Sequence, residues 1–206
     1  DVNISKELLL KALQEDVKDT YNMVSVDGDT STNDTVLLLA NGMAGNVEIT
    51  EENDDYKAFC EALNVVNTFL ARKIAGDGEG ATALFEVKVV NAASKEEAVI
   101  LSKSVVTSSL TKAAIYGHDA NWGRIACAAG YSGAKFDPNK VNIFIGDVQV
   151  AQNGMGLEFD EAKATETLKQ KKVNILVKFN NGEEEATAWG CDLTYDYVSI
   201  NADNRS

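Results

Sequence analysis

Apolar residues recur three or four positions apart in several stretches of the chain. In residues 4–21 and 54–75 charged residues separate them, which predicts two amphipathic helices. The second is the longest predicted helix, and its inward positions are Tyr56, Phe59, Cys60, Leu63, Val66, Leu70 and Ile74. Further helices are predicted at residues 94–109, 122–130, 159–171 and 193–200. Residues 110–115 are too short a run for this pattern and are predicted to be extended.

Capping residues indicate where three of these helices begin. Ser5 or Asn3 precedes the first helix, Ser94 stands three residues before Glu97, and Asn121 precedes Trp122. A Ser or Asn at the cap accepts a hydrogen bond from a free N–H of the first helical turn. The inward positions predicted for the helix at residues 94–109 are Ala98, Leu101, Val105 and Val106.

Strands are predicted where apolar residues alternate with polar ones or form short runs. The apolar run at residues 36–40, preceded by Thr35, predicts a strand over residues 35–40 that is buried on both faces. Two hairpins are predicted, one around Gly146-Asp147 and one around Asn181-Gly182. The remaining predicted strands are residues 23–26 and 82–90. This order predicts a mixed α/β fold with layered sheets covered by helices.

Length and charge limit the functions that the chain can have. Its 206 residues, 45% of them apolar, are enough for one substantial core, so we expect a single unit with, as an alternative, a smaller C-terminal subdomain from about residue 120. The net charge of −13 is spread along the chain, which argues against nucleic-acid and membrane partners. No apolar run approaches the roughly 20 residues of a membrane span, and no leader opens the chain, which predicts a soluble, cytoplasmic protein. The cysteines are predicted to be core thiols: Cys60, Cys127 and Cys191.

A polar loop at residues 26–35, Val-Asp-Gly-Asp-Thr-Ser-Thr-Asn-Asp-Thr, follows the first predicted strand. Its Asp, Asn, Ser and Thr side chains are expected to bond to nearby backbone groups, while Gly28 takes a positive φ. The loop is either a satisfied turn or a segment that presents groups at a site. A calcium loop starting at Asp27 is disfavoured because Leu38 stands where a Glu is needed. No metal site is therefore predicted.

Two further motifs carry candidate chemistry. The glycine turn at residues 77–82 resembles a phosphate loop, but a helix precedes it and a strand follows, and Asp77 and Glu79 would repel a phosphate. His118 is the only histidine and lies beside Asp119, yet no activated nucleophile accompanies it, so we expect it to be structural or exposed. The residues by themselves specify no reaction.

Four stretches together resemble one protein family. They are residues 26–35, residues 77–82 (Asp-Gly-Glu-Gly-Ala-Thr), residues 117–124 (Gly-His-Asp-Ala-Asn-Trp-Gly-Arg) and residues 187–198 (Thr-Ala-Trp-Gly-Cys-Asp-Leu-Thr-Tyr-Asp-Tyr-Val). In this order, and covering nearly the whole chain, they are similar to the ornithine acetyltransferases of arginine biosynthesis. The resemblance implies the αββα sandwich of N-terminal-nucleophile enzymes and aminopeptidases.

The resemblance also implies a reaction and a partner. Enzymes of this family cleave their precursor into an α and a β chain, and this chain resembles the β chain. Its N-terminal Thr would take acetyl from N-acetylornithine and pass it to glutamate in a ping-pong reaction, with the Thr α-amine as base. No cofactor is implied, although acetyl-CoA is a possible co-substrate if the enzyme also makes N-acetylglutamate. The implied partner is the α chain, with the αβ pair doubled to a heterotetramer.

The family's functional residues can be carried over only where this sequence matches. Asp1 matches an Asp that follows the nucleophile by some residues, so the catalytic Thr is expected just before Asp1 and outside the sequence given. Glu79 matches an acidic contact for the amino group of ornithine. The matches for the contacts to the substrate's polar end are Asn201 and Ser206. The oxyanion donors of the family lie on the α chain.

Three positions depart from the family pattern. Ala83 stands where a Lys is usual, Asn204 stands where the family commonly has an aromatic residue, and Ser206 stands where it has a Thr. Ser206 keeps the hydroxyl, but the loss of a cation at Ala83 leaves the acetyl donor less defined than the reaction class. Two alternatives therefore stay open. One is an amidase or aminopeptidase relative with an N-terminal nucleophile, and the other is a non-catalytic binding subunit.

Overall fold

The computed structural model describes residues 1–203, which form two compact units. The first unit consists of Asp1–Asn22 with Thr30–Ala71, and the second of Met23–Asp29 with the residues from 72 onward. The chain therefore passes from one unit to the other at residues 22–23, 29–30 and 71–72. A smaller subdomain from about residue 120, inside the second unit, stays a prediction.

The first unit contains two helices whose extents the sequence predicted well. Helix α1 is Lys6–Asp19, and helix α2, Asp54–Gly76, continues past the end of this unit. The Ser5 hydroxyl accepts a hydrogen bond from the N–H of Leu8 at 3.3 Å, which confirms Ser5 as the cap of α1. The buried core of this unit is formed by Ala12, Ile49, Tyr56 and Leu63.

The inward face predicted for α2 is wrong in its second half. Val66, Leu70 and Ile74 are 55%, 41% and 52% exposed, whereas the small side chains of Ala71 and Ala75 are buried. The spacing predicts correctly that this part is helical. The helical spacing does not indicate which of the two apolar faces of α2 is buried. In this structure the face with the small alanines is buried, and the face with the larger side chains is exposed to solvent.

The second unit is built on one seven-stranded sheet with the order β1-β7-β2-β6-β3-β4-β5. The strands are β1 Val24–Ser25, β2 Leu84–Ala92, β3 Asn142–Ile145, β4 Val148–Gln152, β5 Met155–Gly156, β6 Lys172–Lys178 and β7 Glu184–Cys191. The helices are α3 Lys95–Thr107, α4 Ser109–Tyr116, α5 Trp122–Gly130, α6 Glu161–Leu168 and α7 Tyr195–Asp203. Helix α3 packs on β2 and β7. The predicted mixed α/β class, with a sheet covered by helices, is confirmed.

The strand pairing confirms one predicted hairpin and shows the other to be wrong. Strands β3 and β4 pair directly across Gly146-Asp147. Strands β6 and β7 do not pair, because β2 lies between them: Val87 is opposite Ile175 in a parallel pair and opposite Ala188 in an antiparallel pair. Alternation predicts which face of a strand is buried, but it does not identify the neighbouring strand.

The strand predicted at residues 35–40 is absent. The segment has no assigned secondary structure, and Leu37 and Leu39 are 77% and 83% exposed. A strand buried on both faces needs neighbours for its backbone N–H and C=O groups. No such strand neighbour is found among the described residues, so Leu37 and Leu39 face solvent while Leu38 packs against the core of the first unit.

Residues 110–115, predicted to be extended, belong instead to helix α4. The side chain of Ser108 accepts a hydrogen bond from the N–H of Thr111 at 3.3 Å and caps this helix. Helices α3 and α4 together reach the length and apolar content of a membrane span but are bent by 55°. Among the described residues no single helix is long and apolar enough to cross a membrane.

The three cysteines are free thiols with different surroundings. Cys191 is buried and Cys60 is half-buried, but Cys127 is exposed, so the prediction of a core thiol is wrong for Cys127. Cys127 lies on the solvent side of α5, whose buried positions are Ile125, Ala128 and Ala129.

A carboxylate on β2 links the middle of the sheet to the end of α2. The carboxylate of Glu86 accepts hydrogen bonds from the Arg72 guanidinium at 2.6 Å and from the Trp189 indole N–H at 2.7 Å. Burial acts to raise the pKa of Glu86, but these two donors outweigh it and hold the pKa below the ordinary value of 4.5.

We expect Glu86→Gln to flatten the acid dependence of stability. Because the pKa is lowered in the folded state, the contribution of Glu86 is present above pH 4.5 and is lost as the pH falls through the folded-state pKa. The free energy of unfolding, measured in urea from about pH 6 down to about pH 3, should therefore decrease less in the variant. Glu183→Gln, at an exposed position, is the control and should keep the wild-type slope. An unchanged slope for Glu86→Gln would contradict this account.

Candidate functional site

The glycine turn at residues 77–82 lies between α2 and β2, against the end of β7 and the start of α7. Gly80 has φ +65°, and a Cβ there would lie 2.8 Å from the backbone N of Tyr197. A Cβ at Gly78 would lie 2.7 Å from Cys191 Sγ. Glycine is needed at both positions, because any side chain would push the turn away from its neighbours.

Two of the three predicted site residues lie together, Glu79 in this turn and Asn201 on α7. Asn201, on α7, donates from Nδ2 to Glu79 Oε2 at 3.2 Å and to the carbonyl of Tyr197 at 3.0 Å. Both Glu79 and Asn201 are exposed. The third predicted residue, Ser206, lies outside the described residues. The roles of all three in substrate binding stay predictions.

Asp192, directly after β7, holds the far end of the turn. Its Oδ1 accepts hydrogen bonds from the backbone N–H groups of Thr82 at 2.8 Å and Ala83 at 3.0 Å, and its Oδ2 accepts one from the Thr82 hydroxyl. Asp192 is only 3% exposed. A buried carboxylate with three donors is well compensated, and it fixes the distance between the turn and β7.

Thr194 connects the turn to α7 through a single hydroxyl. The Oγ1 donates to the carbonyl of Gly80 at 2.8 Å and accepts from the N–H of Tyr197 at 3.1 Å. Thr194 is 4% exposed. The same oxygen therefore caps the first turn of α7 and binds the residue next to Glu79.

Lys112 is a buried cation beneath this region. Its Nζ donates to the carbonyl of Cys191 and lies 3.7 Å from Cys191 Sγ, and its own carbonyl accepts from the N–H of Leu193 at 3.3 Å. Burial lowers the pKa of Lys112, against the opposing effect of nearby negative groups. Burial also raises the pKa of the Cys191 thiol, which stays protonated near neutral pH.

The predicted polar loop contributes a second carboxylate. Tyr197 donates from its hydroxyl to Asp27 Oδ2 at 3.0 Å, and Asp27 Oδ1 accepts from the N–H of Asp29 at 2.9 Å. Burial, and then the hydrogen bond to Asp27, raise the pKa of Tyr197. Gly28 has φ +94°, so both the self-bonded loop and the positive φ are confirmed.

His118 lies away from any activated group. It is exposed with φ +53°, while the carboxylate of Asp119 accepts a hydrogen bond from the side chain of Asn121 at 3.1 Å. The prediction that His118 is structural or exposed is confirmed.

The arrangement favours recognition of a cationic group. The carboxylate of Glu79 is held in place by Asn201, and Asp27 lies close enough to Tyr197 to bond its hydroxyl. A fixed carboxylate of this kind suits the ammonium group of an amino acid. Among residues 1–203, no three His, Cys, Asp or Glu side chains are grouped so that they could hold a metal ion.

The sequence patterns do not single out Lys112, Asp192 or Thr194. A signal for Lys112 is its position as the only charge in an otherwise apolar and small-residue stretch, residues 110–115. A signal for Thr194 is its place three residues before Tyr197, the spacing of a helix cap. Neither signal indicates that these side chains meet the glycine turn, which lies more than 100 positions from Thr194 along the chain.

Comparison with known proteins gives one consistent result. A family model described as "ArgJ family" matches residues 1–206. The "Arginine biosynthesis bifunctional protein ArgJ 1" of Clostridium acetobutylicum is 56% identical over 210 residues, which cover 100% of this chain and 52% of that protein. The "Arginine biosynthesis bifunctional protein ArgJ" of Thermotoga neapolitana is 51% identical and covers 100% of this chain and 53% of that protein.

A solved structure gives the same answer for the fold. The crystal structure of "Arginine biosynthesis bifunctional protein argJ" from Bacillus halodurans matches with a TM-score of 0.96 at 46% identity, over 99% of this chain and 96% of that chain. The chain spans about half the length of the curated relatives it matches.

We expect Gly80→Ala to destabilise the protein more than Gly133→Ala does. Both glycines have positive φ, +65° and +88°, but a Cβ at Gly133 meets nothing within 4 Å. In the control, Gly133→Ala, backbone strain should lower the free energy of unfolding by about 1 kcal/mol. In Gly80→Ala the decrease should be about 2 kcal/mol or more, because the turn must also move away from Tyr197. Urea unfolding of both variants measures the difference. Equal losses would mean that the close approach at Gly80 is unimportant.

Proposed function

This chain belongs to the ArgJ family, and on that premise we propose that it is the β chain of an ornithine acetyltransferase. The whole enzyme would transfer acetyl from N-acetylornithine to glutamate. The observation that carries the proposal is the hydrogen bond from Asn201 to Glu79, which holds a carboxylate in place on the glycine turn at 3.2 Å. This carboxylate would bind the free ammonium group of the ornithine part of the donor.

The proposed reaction has two acyl-transfer steps. In the first, the hydroxyl of a Thr that precedes Asp1 in the whole protein attacks the acetyl carbonyl of N-acetylornithine. The amide C–N bond breaks, the Thr proton passes through the α-amine to the leaving nitrogen, and ornithine departs. In the second, the neutral amine of glutamate attacks the carbonyl of the acetyl ester, the C–O bond to Thr breaks, and the proton released by the glutamate nitrogen passes through the α-amine to the Thr oxygen. No cofactor takes part.

The other substrate contacts in this proposal lie on and after α7. Asn201 would bind the polar end of the substrate as well as Glu79, and Ser206 would supply a hydroxyl there, as the family resemblance implies. Ala83, in place of the usual Lys, removes one cation near the turn. The proposal for this chain is therefore acetyl transfer as a reaction class. The use of acetyl-CoA as a second acetyl donor stays a prediction.

The proposed partner is the α chain of the same precursor. Five apolar residues between positions 36 and 47 are exposed on the first unit, and a concentration of exposed apolar side chains in one segment is typical of an interface. They are Val36, Leu37, Leu39, Met43 and Val47, at 38%, 77%, 83%, 77% and 88% exposure. An extended strand from the α chain would pair with this segment and cover it. A doubled αβ pair and a cytoplasmic location stay predictions from the resemblance and the composition.

The proposal is tested with the full precursor, purified after self-cleavage. The enzyme is given N-acetylornithine and glutamate, and N-acetylglutamate, free acetate and ornithine are quantified. If the enzyme transfers acetyl, it should form one N-acetylglutamate for each ornithine that it releases. An amidase relative would release acetate without N-acetylglutamate, and a binding subunit would release neither, so either result rejects the transferase. Acetyl-CoA in place of N-acetylornithine tests the second donor.

We expect Glu79→Ala to lower kcat/KM for N-acetylornithine by about ten- to a hundred-fold. The physical reason is the loss of a charged hydrogen bond to the substrate ammonium, roughly 1.5–3 kcal/mol. Asp77→Ala, which removes a neighbouring carboxylate of the same turn, is the matched control and should change kcat/KM by less than about three-fold. Unchanged kinetics for Glu79→Ala would remove this residue from the site.

We expect Leu37→Asp to weaken association of the β chain with the α chain. A carboxylate buried in an apolar interface without a partner costs several kcal/mol, so the two chains should separate on size-exclusion chromatography. Leu10→Asp is the control, because Leu10 is 51% exposed on α1 and lies outside the apolar segment. Co-elution of the Leu37→Asp chains at the wild-type ratio would show that the segment is not the interface.

A further inference from the structure

We infer that Thr194 is a positioning residue that holds Glu79 and Asn201 in one geometry through its hydroxyl. The inference rests on the proposed function, since it assigns these two residues to the same substrate site. Thr194 itself does not touch substrate in this account. It acts by joining the glycine turn to helix α7.

Each hydrogen bond of Thr194 is made to a residue that is directly connected to one of the two binding residues, Glu79 or Asn201. Gly80, whose carbonyl accepts from the hydroxyl at 2.8 Å, is the chain neighbour of Glu79. Tyr197, whose N–H donates to the hydroxyl at 3.1 Å, lies one helical turn before Asn201, and its carbonyl accepts from Asn201 Nδ2. The Asn201–Glu79 bond then closes a ring of four hydrogen bonds around the site.

Burial makes this link sensitive to substitution. Thr194 is 4% exposed, so water cannot readily replace its hydroxyl. Removing the hydroxyl while keeping the shape would leave the Gly80 carbonyl and the Tyr197 N–H without this partner. Unpaired backbone groups of this kind are costly, and the turn and the helix would shift to find other partners.

The segment that carries Thr194 is itself fixed. Asp192 binds the backbone of Thr82 and Ala83, and Lys112 binds the carbonyl of Cys191 and the N–H of Leu193. Residues 191–193 are therefore held from both sides. Thr194 follows directly and projects its hydroxyl from a rigid base, which allows one side chain to set the spacing of two others.

The test uses the full self-cleaved enzyme with Thr194→Val, which keeps the shape and removes the hydroxyl, and Thr194→Ser, which keeps the hydroxyl. We expect the Val variant to raise KM for N-acetylornithine by about ten-fold or more with kcat changed by less than about three-fold, because ground-state and transition-state binding are lost together. The Ser variant should restore KM to within about three-fold of wild type. If the Val variant does not fold, Thr194→Ala takes its place with the same expectation.

Thr111→Val is the matched control. Thr111 is 1% exposed, and its hydroxyl has no hydrogen-bond partner in the described part of the chain. Removing an unpaired hydroxyl should leave KM at the wild-type value. A comparable increase of KM in this control would overturn the inference, because the effect of Thr194→Val would then reflect disturbance of the core in general.

A coupling measurement separates positioning from general damage. If Thr194 acts through Glu79 and Asn201, Thr194→Val should raise KM by less than about two-fold when it is added to an enzyme that carries both Glu79→Ala and Asn201→Ala. A full multiplicative effect of Thr194→Val in that enzyme would overturn the inference. So would wild-type KM in Thr194→Val, provided that the wild-type enzyme transfers acetyl. A wild-type enzyme without transfer activity would instead reject the proposed function.

Discussion

The hydrogen bonds that Asp192 accepts from the N–H groups of Thr82 and Ala83 are the constraint on which the candidate site depends. They join the start of β2 to the end of β7, two neighbouring strands of the sheet. A buried carboxylate is tolerated only when donors surround it, and here the donors are backbone groups that cannot swing away. The glycine turn, and with it Glu79, is therefore placed by the sheet itself.

The same region contains several buried or half-buried polar groups, each with an identified partner. Lys112 binds backbone at the end of β7, Thr194 binds the turn and α7, and Tyr197 binds Asp27. Such a network is stable only when its members are satisfied together, because each unpaired group would cost free energy. The consequence is a rigid setting for two exposed side chains, Glu79 and Asn201, which remain available to a ligand.

A different constraint acts on the first unit. Its apolar segment around Leu37 and Leu39 is exposed, and so is the stripe of α2 that contains Val66. The chain spans about half the length of its curated relatives. In the proposed enzyme the α chain would cover these residues, and their apolar pattern would then reflect that interface. The pattern thus predicted a buried strand that the described residues do not form.

The sequence by itself determined the family and most of the helices, although its predictions for residues 35–40 and 110–115 were wrong. Helical spacing and caps such as Ser5, Ser94 and Asn121 predicted α1, α3 and α5, because these signals act within a few residues. Family motifs predicted Glu79 and Asn201 as binding residues, and the structure brings these two side chains together. Only the tertiary structure decided that β2 separates β6 from β7, and that Asp192, Thr194 and Lys112 converge on the turn. Strand order and buried hydrogen bonds join residues more than 75 positions apart, and no local pattern carries that information.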